Sequence, residues 1–533
     1  MKRRLWTMLL LMVLTLLLAV ACQEKAEENT CPHTTVDVDP AVAPTCAKQG
    51  KTEGSHCGSC GKVLIAQQKI PSPAHRFEDG VCTECGGFDI CDGLRYVLVE
   101  DHYVVTGLGD PGDAEVIIPS TYKGLPVTVI GENAFAGYAS LTKVTIPESI
   151  TVIESGAFYF CVNLETIQIP KGVQRIEERT FSGCGFKNFT IPSNVQFVGE
   201  YAFSNCRNLE SLDFGDGMDV VEYGAFIWCG SLKSVSFGFG LDTLSPIAFH
   251  YCDNLESITV SDRNATFYSE GNCVIRKSTQ MLVAGCKTSV IPQGVKGIGS
   301  NSFAACRGLE SIVIPEGVTM IGYDAFRSCT ALKSVSLPEG LETIGSFAFS
   351  ECIALEEIVI PEGTREIGER AFEDCHGLKR VHFPKSLEGL SHAAFRYCKN
   401  LESITGGDGI KGIGKSCFYK CSKLKDFVIP AGIKIIGPSA FNGCSSFGNY
   451  YIPDGVTEIG SGAFGGCADV EYLVVPKSVE KLEEGALRCS VDAIFCEATE
   501  KPADWDKSWM AGGLATVYWG DDWHYVDGKP TLK

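Results

Sequence analysis

Four cysteines near the start of the chain are the residues best suited to chemistry. They form two Cys-x-x-Cys pairs, Cys57 with Cys60 and Cys82 with Cys85, with 21 residues between the pairs. Two such pairs can offer four thiolates to one tetrahedral Zn²⁺ ion, and a short segment with little apolar core gains its fold from the metal. The spacing therefore predicts a structural zinc site within residues 31–92.

Two alternatives to this ligand set remain open. His33, Cys46 and His75 lie close enough in the sequence to replace one of the four cysteines. In an exported protein the four cysteines could instead form two local disulfides, which also stabilise a segment with little core. A disulfide across a short Cys-x-x-Cys loop is strained, whereas two matched pairs suit a metal, so zinc is the preferred interpretation.

A motif, most often Ala-Phe-x-x-Cys, recurs every 23 residues through the rest of the chain. Its aromatic positions are Phe135, Phe158, Phe181, Phe203, Phe226, Phe249, Phe303, Phe326, Phe349, Phe372, Phe395, Phe418, Phe441 and Phe464, and Leu487 ends the series. One step is 22 residues and one is 54, so a single insertion of 31 residues leaves the register intact. A fixed period of this size indicates a solenoid of about 15 coils, in which each coil buries its apolar face against its neighbours.

One repeat, residues 309–332, shows how a coil is built. Ile312 and Ile314 alternate with polar positions, which is the pattern of a strand with one buried face. Pro315 and Gly317 end that strand, because Pro lacks a ladder donor and Gly permits a turn. A second short extended piece follows, and an irregular or helical return carries the Ala-Phe-x-x-Cys motif. The expected fold is a stack of short parallel strands.

The pattern L-x-x-I-x-I-P-x-x-V-x-x-I-G-x-x-A-F-x-x-C resembles the BspA-like class of leucine-rich repeat found on bacterial cell-surface proteins. The resemblance covers roughly residues 94–520, and it includes an entry segment, VIIPSTYKGLPVTVIGENAF, and an exit segment, CEATEKPADWDKSWMAGGLATVYWG. It implies a leucine-rich repeat solenoid for adhesion, or for recognition of proteins on a host or neighbouring cell, without catalytic residues. Residues 31–92 also resemble a small zinc-ribbon-like Cys/His module that precedes repeats in exported bacterial proteins.

Thirteen cysteines occupy the last place of the motif. They are Cys161, Cys184, Cys206, Cys229, Cys252, Cys306, Cys329, Cys352, Cys375, Cys398, Cys421, Cys444 and Cys467. Equivalent side chains in stacked coils point the same way and do not face each other, and an odd number cannot all pair. We therefore expect buried thiols that fill the core, and no disulfides in this column.

The first 21 residues have the layout of a signal peptide, with a basic start, an apolar run and small residues before Cys22. Cys22 is the predicted site of lipid attachment, although Ala19 stands where a lipobox usually has Leu. Residues 22–30 would then form a tether, and the protein would be a membrane-anchored lipoprotein at the cell surface. A simple cleavage site, which gives a secreted protein, and an uncleaved anchor are the alternatives.

Charge and motifs exclude several classes of function. The chain has a net charge of −19, which disfavours nucleic acid and anionic lipid surfaces as partners. The sequence has no Gly-rich phosphate loop, no His-Glu-x-x-His and no Gly-x-Ser-x-Gly, and its histidines show no catalytic spacing. We therefore expect a non-enzymatic protein without a small-molecule substrate.

The repeat also sets the domain boundaries. We expect an entry cap and first coil at 93–135, a solenoid at 136–489 and a C-terminal cap at 490–533. Within the solenoid, residues 261–286 predict a hairpin that leaves one coil, as a structural detour or a binding edge. In the cap, Trp505, Trp509, Trp519 and Trp523 are expected to cover the open edge of the last coil, with a glycan-stacking surface beside nearby aspartates as the alternative.

The outward positions of the strands are mostly small and polar until the later coils, where Arg380, His382, Tyr451 and Tyr472 add bulk. Tyr and Arg are enriched at binding hot spots, so these four residues are the predicted protein-binding patch. The alternative is that this face of the sheet is exposed to solvent and binds no partner. The other functions left open are a structural scaffold of packed rods in the cell envelope and a glycan-binding surface protein.

Overall fold

The computed structural model describes residues 34–42, 50–70, 77–78, 81–82, 89–91, 93–109, 114–447, 451–467, 470–512 and 515–533. The chain divides after Asp89 into two compact units. The first holds the cysteine pairs, and the second holds the repeats.

Short antiparallel strands make up the first unit. Gly54–Cys57 is the middle strand of a three-stranded sheet, between Val36–Asp39 and Val63–Ile65. The other strands of this unit are Gly50–Lys51, Lys69–Ile70, Phe77–Glu78 and Val81–Cys82, whereas Asp89–Cys91 pairs with Leu94–Val99. In the three-stranded sheet, the described apolar residues of both outer strands are exposed. This sheet therefore has little core of its own.

The second unit is a solenoid built from two series of stacked parallel strands. The first series, here called the front strands, consists of Glu115–Ile117, Lys143–Thr145, Thr166–Ile167, Asn188–Ile191, Ser211–Phe214, Ser234–Phe237, Ser257–Val260, Ser311–Val313, Ser334–Ser336, Glu357–Val359, Arg380–Phe383, Ser403–Gly406, Val470–Val475, Val491–Cys496 and Thr516–Tyr518. In the described residues the series divides into five short sheets, and within each sheet neighbouring strands pair in parallel, mostly at the repeat interval, as Ser311 does with Ser334. Equivalent side chains of neighbouring coils therefore lie side by side.

The second series, the rear strands, follows the Pro-Gly turn of each coil. Its members are Leu125–Ile130, Val152–Ile153, Arg175–Ile176, Phe197–Val198, Val220–Val221, Thr243–Leu244, Gly297–Ile298, Met320–Ile321, Thr343–Ile344, Glu366–Ile367, Gly389–Leu390, Gly412–Ile413, Ile435–Ile436, Glu458–Ile459 and Lys481–Leu482. The hairpin of Leu94–Val99 and His102–Leu108 precedes them and pairs in parallel with the first, and Thr121–Tyr122 pairs beside it.

The structure confirms the predicted solenoid of short parallel strands, with roughly the expected number of coils. The returns are irregular turns, and no helix forms in the described residues. The reason lies in two positions that flank the motif Phe, such as Asp324 (φ 54°) and Ser328 (φ 57°) around Phe326. Both have left-handed backbone conformations, which a right-handed helix cannot contain.

The motif residues form two columns through the core. The Phe rings stack nearly parallel, with centroids 5.0 Å apart for Phe303 and Phe326 and 5.1 Å apart for Phe326 and Phe349. Twelve of the thirteen motif cysteines donate a hydrogen bond from Sγ to the carbonyl oxygen of the preceding coil's Phe, at 2.9–3.3 Å. Cys306 is the exception.

Burial explains why these cysteines act as donors. It raises the pKa of Cys161, Cys252 and Cys329 to about 12, so the thiols keep their protons at neutral pH. None of the thirteen is in a disulfide. Because they are buried, protonated and unoxidised, these cysteines act as core residues. Their thiol hydrogen bond adds a contact that an alanine could not make.

The insertion lies between two separate parts of the core. Its strands are Phe267–Glu270, Cys273–Arg276 and Met281–Ala284, which pair antiparallel, and the last pairs in parallel with Gly297–Ile298. Val274 packs into the core of the earlier coils, whereas Cys273 and Ile275 pack into the core of the later ones. The hairpin therefore does not leave the coil as an arm, because its strand is buried on both faces.

The C-terminal residues cover the last coils. Trp505 and Trp509 are buried against the end of the core, and the Trp505 indole N–H donates to the Val479 carbonyl at 3.1 Å. Trp523, in the hairpin of Trp523–Val526 and Lys529–Leu532, packs on the outward side chains of the last front strands. These three indoles are buried, so they offer no open platform for a sugar.

Candidate recognition surface and the N-terminal cysteine pair

The front strands expose one face along the solenoid. In each strand the core-facing residue alternates with an exposed one, as Ile358 does with Val359. The second outward position of each front segment forms a series that we call the outer column. Its members are Ile117, Thr145, Gln168, Thr190, Asp213, Ser236, Thr259, Val313, Ser336, Val359, His382, Thr405, Val428, Tyr451 and Val474.

The outer column differs before and after the insertion. Before the insertion the column begins with Ile117, which is 72% exposed, and its members from Thr145 to Thr259 are all polar, whereas the later part includes Val313, Val359, Val428 and Tyr451, which are 67%, 54%, 85% and 52% exposed. A single exposed apolar residue is ordinary on a protein surface, but repetition in one column makes a strip. Coils are about 4.8 Å apart, so this strip extends over several coils.

Arg380 and His382 lie beside each other on this face, and both are exposed. The Arg380 Nε donates to Glu357 Oε2 of the preceding coil at 3.0 Å. The His382 Nδ1 lies 2.9 Å from Thr405 Oγ1 of the next coil. Both side chains therefore reach across coils and already have partners on the face.

Tyr451 and Tyr472 have different surroundings. Tyr451 is exposed, and partial burial together with the carboxylates of Asp454 and Glu497 raises its pKa. Tyr472 packs edge-on against Phe495, with centroids 6.0 Å apart, beneath the C-terminal hairpin. Tyr451 is thus available to a partner, whereas Tyr472 supports the cap.

The four predicted residues do not form one compact site. Arg380 and Tyr472 belong to one outward column and are four coils apart, and His382 and Tyr451 belong to the outer column and are three coils apart. Sequence reasoning missed Tyr525, whose hydroxyl donates to Glu497 at 3.2 Å near Tyr451. Only the density of aromatic residues in the last segment hinted at it, because that segment has no repeat register.

The first Cys-x-x-Cys pair lies in a tight turn between Gly54–Cys57 and Val63–Ile65. The Cys57 N–H donates to the Lys62 carbonyl at 2.9 Å, and the Gly61 N–H donates to the Cys57 carbonyl at 2.7 Å. Gly61 has φ 74°, which favours glycine there. Cys57 is buried and Cys60 is exposed, and both lie within the same six-residue turn.

The rest of the predicted zinc site is not described. Cys82 ends the strand Val81–Cys82, which pairs with Phe77–Glu78, but Cys85, His33, Cys46, His75 and the side chain of Cys82 lie outside the described residues. Where residues are described, no three His, Cys, Asp or Glu side chains come together as metal ligands. The four-cysteine set stays a prediction.

The predicted signal peptide, Cys22 and the tether also lie outside the described residues. Within the part of the chain that the structure describes, no helix has the length and apolar character needed to cross a membrane.

A family model described as BspA type leucine-rich repeat region (6 copies) matches most of the chain. The matched segments are residues 115–185, 151–273, 283–402 and 366–491. They cover both parts of the solenoid and stop short of the cysteine-rich unit. No curated protein matches the sequence.

Several solved structures are similar to the chain. A leucine-rich repeat protein from Bacteroides ovatus is 23% identical, with 81% of this chain and 99% of that chain covered and a TM-score of 0.50. The pneumococcal vaccine antigen PcpA is 20% identical, with 67% and 94% covered and a TM-score of 0.50. A leucine rich cell surface protein from Faecalibacterium prausnitzii is 27% identical, with 60% and 94% covered and a TM-score of 0.48. At such identities the first two likenesses concern the fold alone.

Proposed function

The chain belongs to the BspA-type leucine-rich repeat family, and from that premise we propose that it is an exported, non-enzymatic surface protein that recognises a protein on a host or neighbouring cell. Repeat solenoids bind through extended exposed faces, which suits a protein partner better than a small substrate. Binding of such a protein would attach the cell that carries this chain to the cell that carries the partner, so the proposed outcome is adhesion.

The observation that carries this proposal is the apolar strip in the later half of the outer column. Val359 is exposed on the three-stranded parallel sheet of Glu357–Val359, Arg380–Phe383 and Ser403–Gly406, and Val428 and Tyr451 are exposed at the equivalent places of later coils, outside any strand. Because these side chains are exposed, a partner that covered them would remove apolar surface from water. Arg380 and His382 lie in the same stretch and add hydrogen-bonding groups around the apolar contacts, as in many protein interfaces.

Binding to intact cells tests the proposal. Fluorescently labelled full-length mature protein should bind host or neighbouring bacterial cells saturably, and the double variant Val359→Glu/Val428→Glu should bind about tenfold more weakly or not at all. The matched control is Thr190→Glu/Ser236→Glu, which adds the same charges to the earlier half of the column. Equal losses in both variants, or no saturable binding, would contradict the proposed surface. Self-association of the purified protein alone would favour the envelope scaffold.

We further propose that Cys22 carries the lipid anchor.

We also propose that Cys57, Cys60, Cys82 and Cys85 hold a structural Zn²⁺. The turn around Cys57 and Cys60 supports the metal, because its backbone hydrogen bonds hold both cysteines within six residues of chain. Elemental analysis of the full chain should find one zinc ion, which Cys60→Ser should release. Full oxidation of these cysteines in a thiol titration would establish disulfides instead.

A further inference from the structure

Acidic and basic residues alternate along one edge of the solenoid, at the position just before each front segment. This series, here called the charge ladder, consists of Glu165, Lys187, Glu210, Lys233, Glu256, Lys287, Glu310, Lys333, Glu356, Lys379, Glu402 and Lys425. The alternation has no break over twelve consecutive coils. Lys287 continues it across the insertion, with its Nζ 2.9 Å from the Glu256 carboxylate of the preceding coil.

The charge ladder forms a ridge, because the residues on both sides of it are small in the middle coils. The next residue along the front segment is Ser211, Ser234, Ser257, Thr288, Ser311 and Ser334 in six consecutive coils. Two places before the ladder, the chain has Gly308, Ala331, Ala354 and Gly377 in four consecutive coils. No ladder residue is buried. The Glu and Lys side chains are therefore the parts of this edge that a neighbouring molecule meets first.

Ion pairs within the chain use only part of the ladder. Lys233 lies 2.8 Å from Glu210, and four further ladder pairs are no more than 3.4 Å apart. Glu165 at one end, and Glu402 and Lys425 at the other, make no ion pair with any described residue. Pairs between exposed side chains contribute little to the stability of one chain, since water and salt screen them. Most ladder charges are therefore available to a partner.

The charge ladder is neutral as a whole, whereas the chain is acidic. Its six Glu and six Lys residues cancel, while the chain carries a net charge of −19. Two copies of the chain repel each other, and that repulsion is smallest where neutral strips meet. A partner for the ladder must also place alternating charges at the coil spacing of about 4.8 Å over many steps. A second copy of this chain has both the spacing and the alternation.

We propose that two copies of this chain pack side by side and antiparallel along their charge ladders. A twofold axis between Lys287 and Glu310 sets every ladder Glu opposite a Lys of the second copy. At the ends, Glu165 then faces Lys425 of the second copy, so residues without an ion pair in one chain pair between chains. A parallel pair, related by an axis along the solenoid, would set Glu against Glu and Lys against Lys.

The size of the ladder sets the strength of this dimer. Twelve coils span roughly 50 Å, and a contact about 10 Å wide along them buries about 1,000 Å² over both copies. This area is at the low end for a specific protein interface, and salt screens its charges. The dimer is therefore weak and sensitive to salt.

The proposed dimer leaves the outer column free. The outer column lies three strand positions from the ladder, which is about 10 Å. With the twofold axis perpendicular to the front face, both copies expose their front strands on the same side. The dimer then presents two outer columns to the partner proposed above, which is a different surface from the ladder.

Sedimentation velocity tests the association. The protein is the full mature chain with Cys22→Ser, so that no attached lipid drives association. It should form dimers in about 50 mM NaCl, and the dissociation constant should rise at least about tenfold in about 500 mM NaCl. A monomer at low salt would contradict the proposal, whatever the protein binds through its outer column.

Charge reversal across the proposed contact separates it from ion pairing within the chain. Lys333→Glu/Lys379→Glu puts like charges opposite Glu256 and Glu210 of the second copy, and should weaken the dimer at least about tenfold. Glu210→Lys/Glu256→Lys should weaken it in the same way. An equimolar mixture of the two variants should associate as tightly as the wild type, because each changed residue then faces an opposite charge. Repulsion within each chain persists in the mixture, so only contacts between chains explain the recovery.

Lys411→Glu/Lys481→Glu is the matched control, because it changes the net charge equally at exposed lysines beside the rear strands. It should weaken the dimer by no more than about twofold. Thermal unfolding midpoints verify that every variant is folded. The proposal is overturned if the mixture of the two ladder variants does not recover, or if the control weakens the dimer as much as Lys333→Glu/Lys379→Glu.

Discussion

A regular coil junction and the interrupted one at residues 249–303 are built from the same motif, yet they differ in what the motif contacts. Phe349 lies between Phe326 and Phe372, with centroid distances of 5.1 and 5.3 Å. Phe249 stacks on Phe226 at 5.6 Å and has no stacked ring on its other side, among the described residues. The insertion replaces that contact. The comparison shows that each coil is stabilised by the rings of the coils on either side. Where one of those rings is missing, the stacking contact is lost only at that junction.

The interruption also divides the core. Side chains from Leu94 to Cys286 form one cluster, and those from Cys273 to Trp509 form another. The strand Cys273–Arg276 contributes to both, because successive side chains of a strand point to opposite faces. At a regular junction every coil contacts the next through the Phe and Cys columns. Here two strands of the insertion, Cys273–Arg276 and Met281–Ala284, take over that role.

The largest effect is expected from breaking the first of these strands. Ile275→Asp places a carboxylate where the side chain is fully buried, which should cost at least about 4 kcal/mol. We expect urea unfolding to change from one transition to two, one for each half of the core. Val290→Asp, at an exposed position nearby, is the control and should keep a single transition. An unchanged single transition for Ile275→Asp would mean that the strand does not couple the halves.

The next largest effect compares the two kinds of junction directly. Phe349→Ala should reduce the free energy of unfolding by about 3–5 kcal/mol, since it removes a ring stacked on both sides. Phe249→Ala should cost about 1–2 kcal/mol less, because one stacked partner is already missing. Both values come from chemical denaturation of the full chain. Equal costs would show that the insertion packs against Phe249 as well as a Phe ring does.

The period made most of this fold predictable and located the insertion, but it could not show how the insertion packs between the two parts of the core. Hydrophobic spacing identified the strands, the buried Phe and the thiol column, because those positions repeat and face the core. The left-handed backbone two places after the motif Phe recurs from coil to coil, at Phe160, Ser328 and Lys420 among others, but the side chains at that place vary too much to predict it. The period also gave no sign that Gly285 of the insertion, and not Tyr251, donates to the next return at Ser302. The outer column was predicted only in part, because Val359 and Val428 looked unremarkable beside Arg380.

A third test uses pH at the interrupted junction. His250 is mostly buried, its Nε2 lies 3.2 Å from the Asn301 carbonyl, and burial lowers its pKa to about 4. An unfolded histidine titrates near 6.5, so between about pH 6.5 and pH 4 the unfolded state binds a proton that the folded state does not. The neutral, buried His250 should therefore make its full contribution to the free energy of unfolding above pH 6.5. That contribution should fall by about 2–3 kcal/mol as the pH drops to 4.

The variant His250→Gln separates the pH dependence due to His250 from that of the carboxylates, which also titrate at acid pH. The difference in unfolding free energy between the wild type and the variant should shrink as the pH falls from 7 to 4.5. A difference that stays constant over this range would show that folding does not lower the pKa of His250. No comparable dependence is expected from uninterrupted returns that lack a buried histidine.

A smaller effect distinguishes the thiols. Cys352→Ala removes a buried sulfur and its hydrogen bond to the Phe326 carbonyl at 3.2 Å, and should cost about 1–2 kcal/mol. Cys306→Ala should cost less, because Cys306 is partly exposed and makes no such bond to the preceding Phe. Cys306 should also be the first motif cysteine to react with a thiol reagent in the folded protein. Faster labelling of Cys352, read by peptide mass spectrometry, would contradict this ranking.

The smallest effect concerns ion pairs between coils. Lys333 and Glu310 are 2.8 Å apart at a regular junction and both are exposed, so water and salt screen them. Lys287 and Glu256 are 2.9 Å apart beside the insertion, and the Lys287 side chain is largely buried. A double-mutant cycle to Ala should therefore give a coupling of about 0.5–1 kcal/mol for the second pair that persists at high salt. The first pair should show no measurable coupling, because its charges exchange freely with solvent. Equal coupling in the two cycles would mean that the interruption leaves the electrostatics of the junction unchanged.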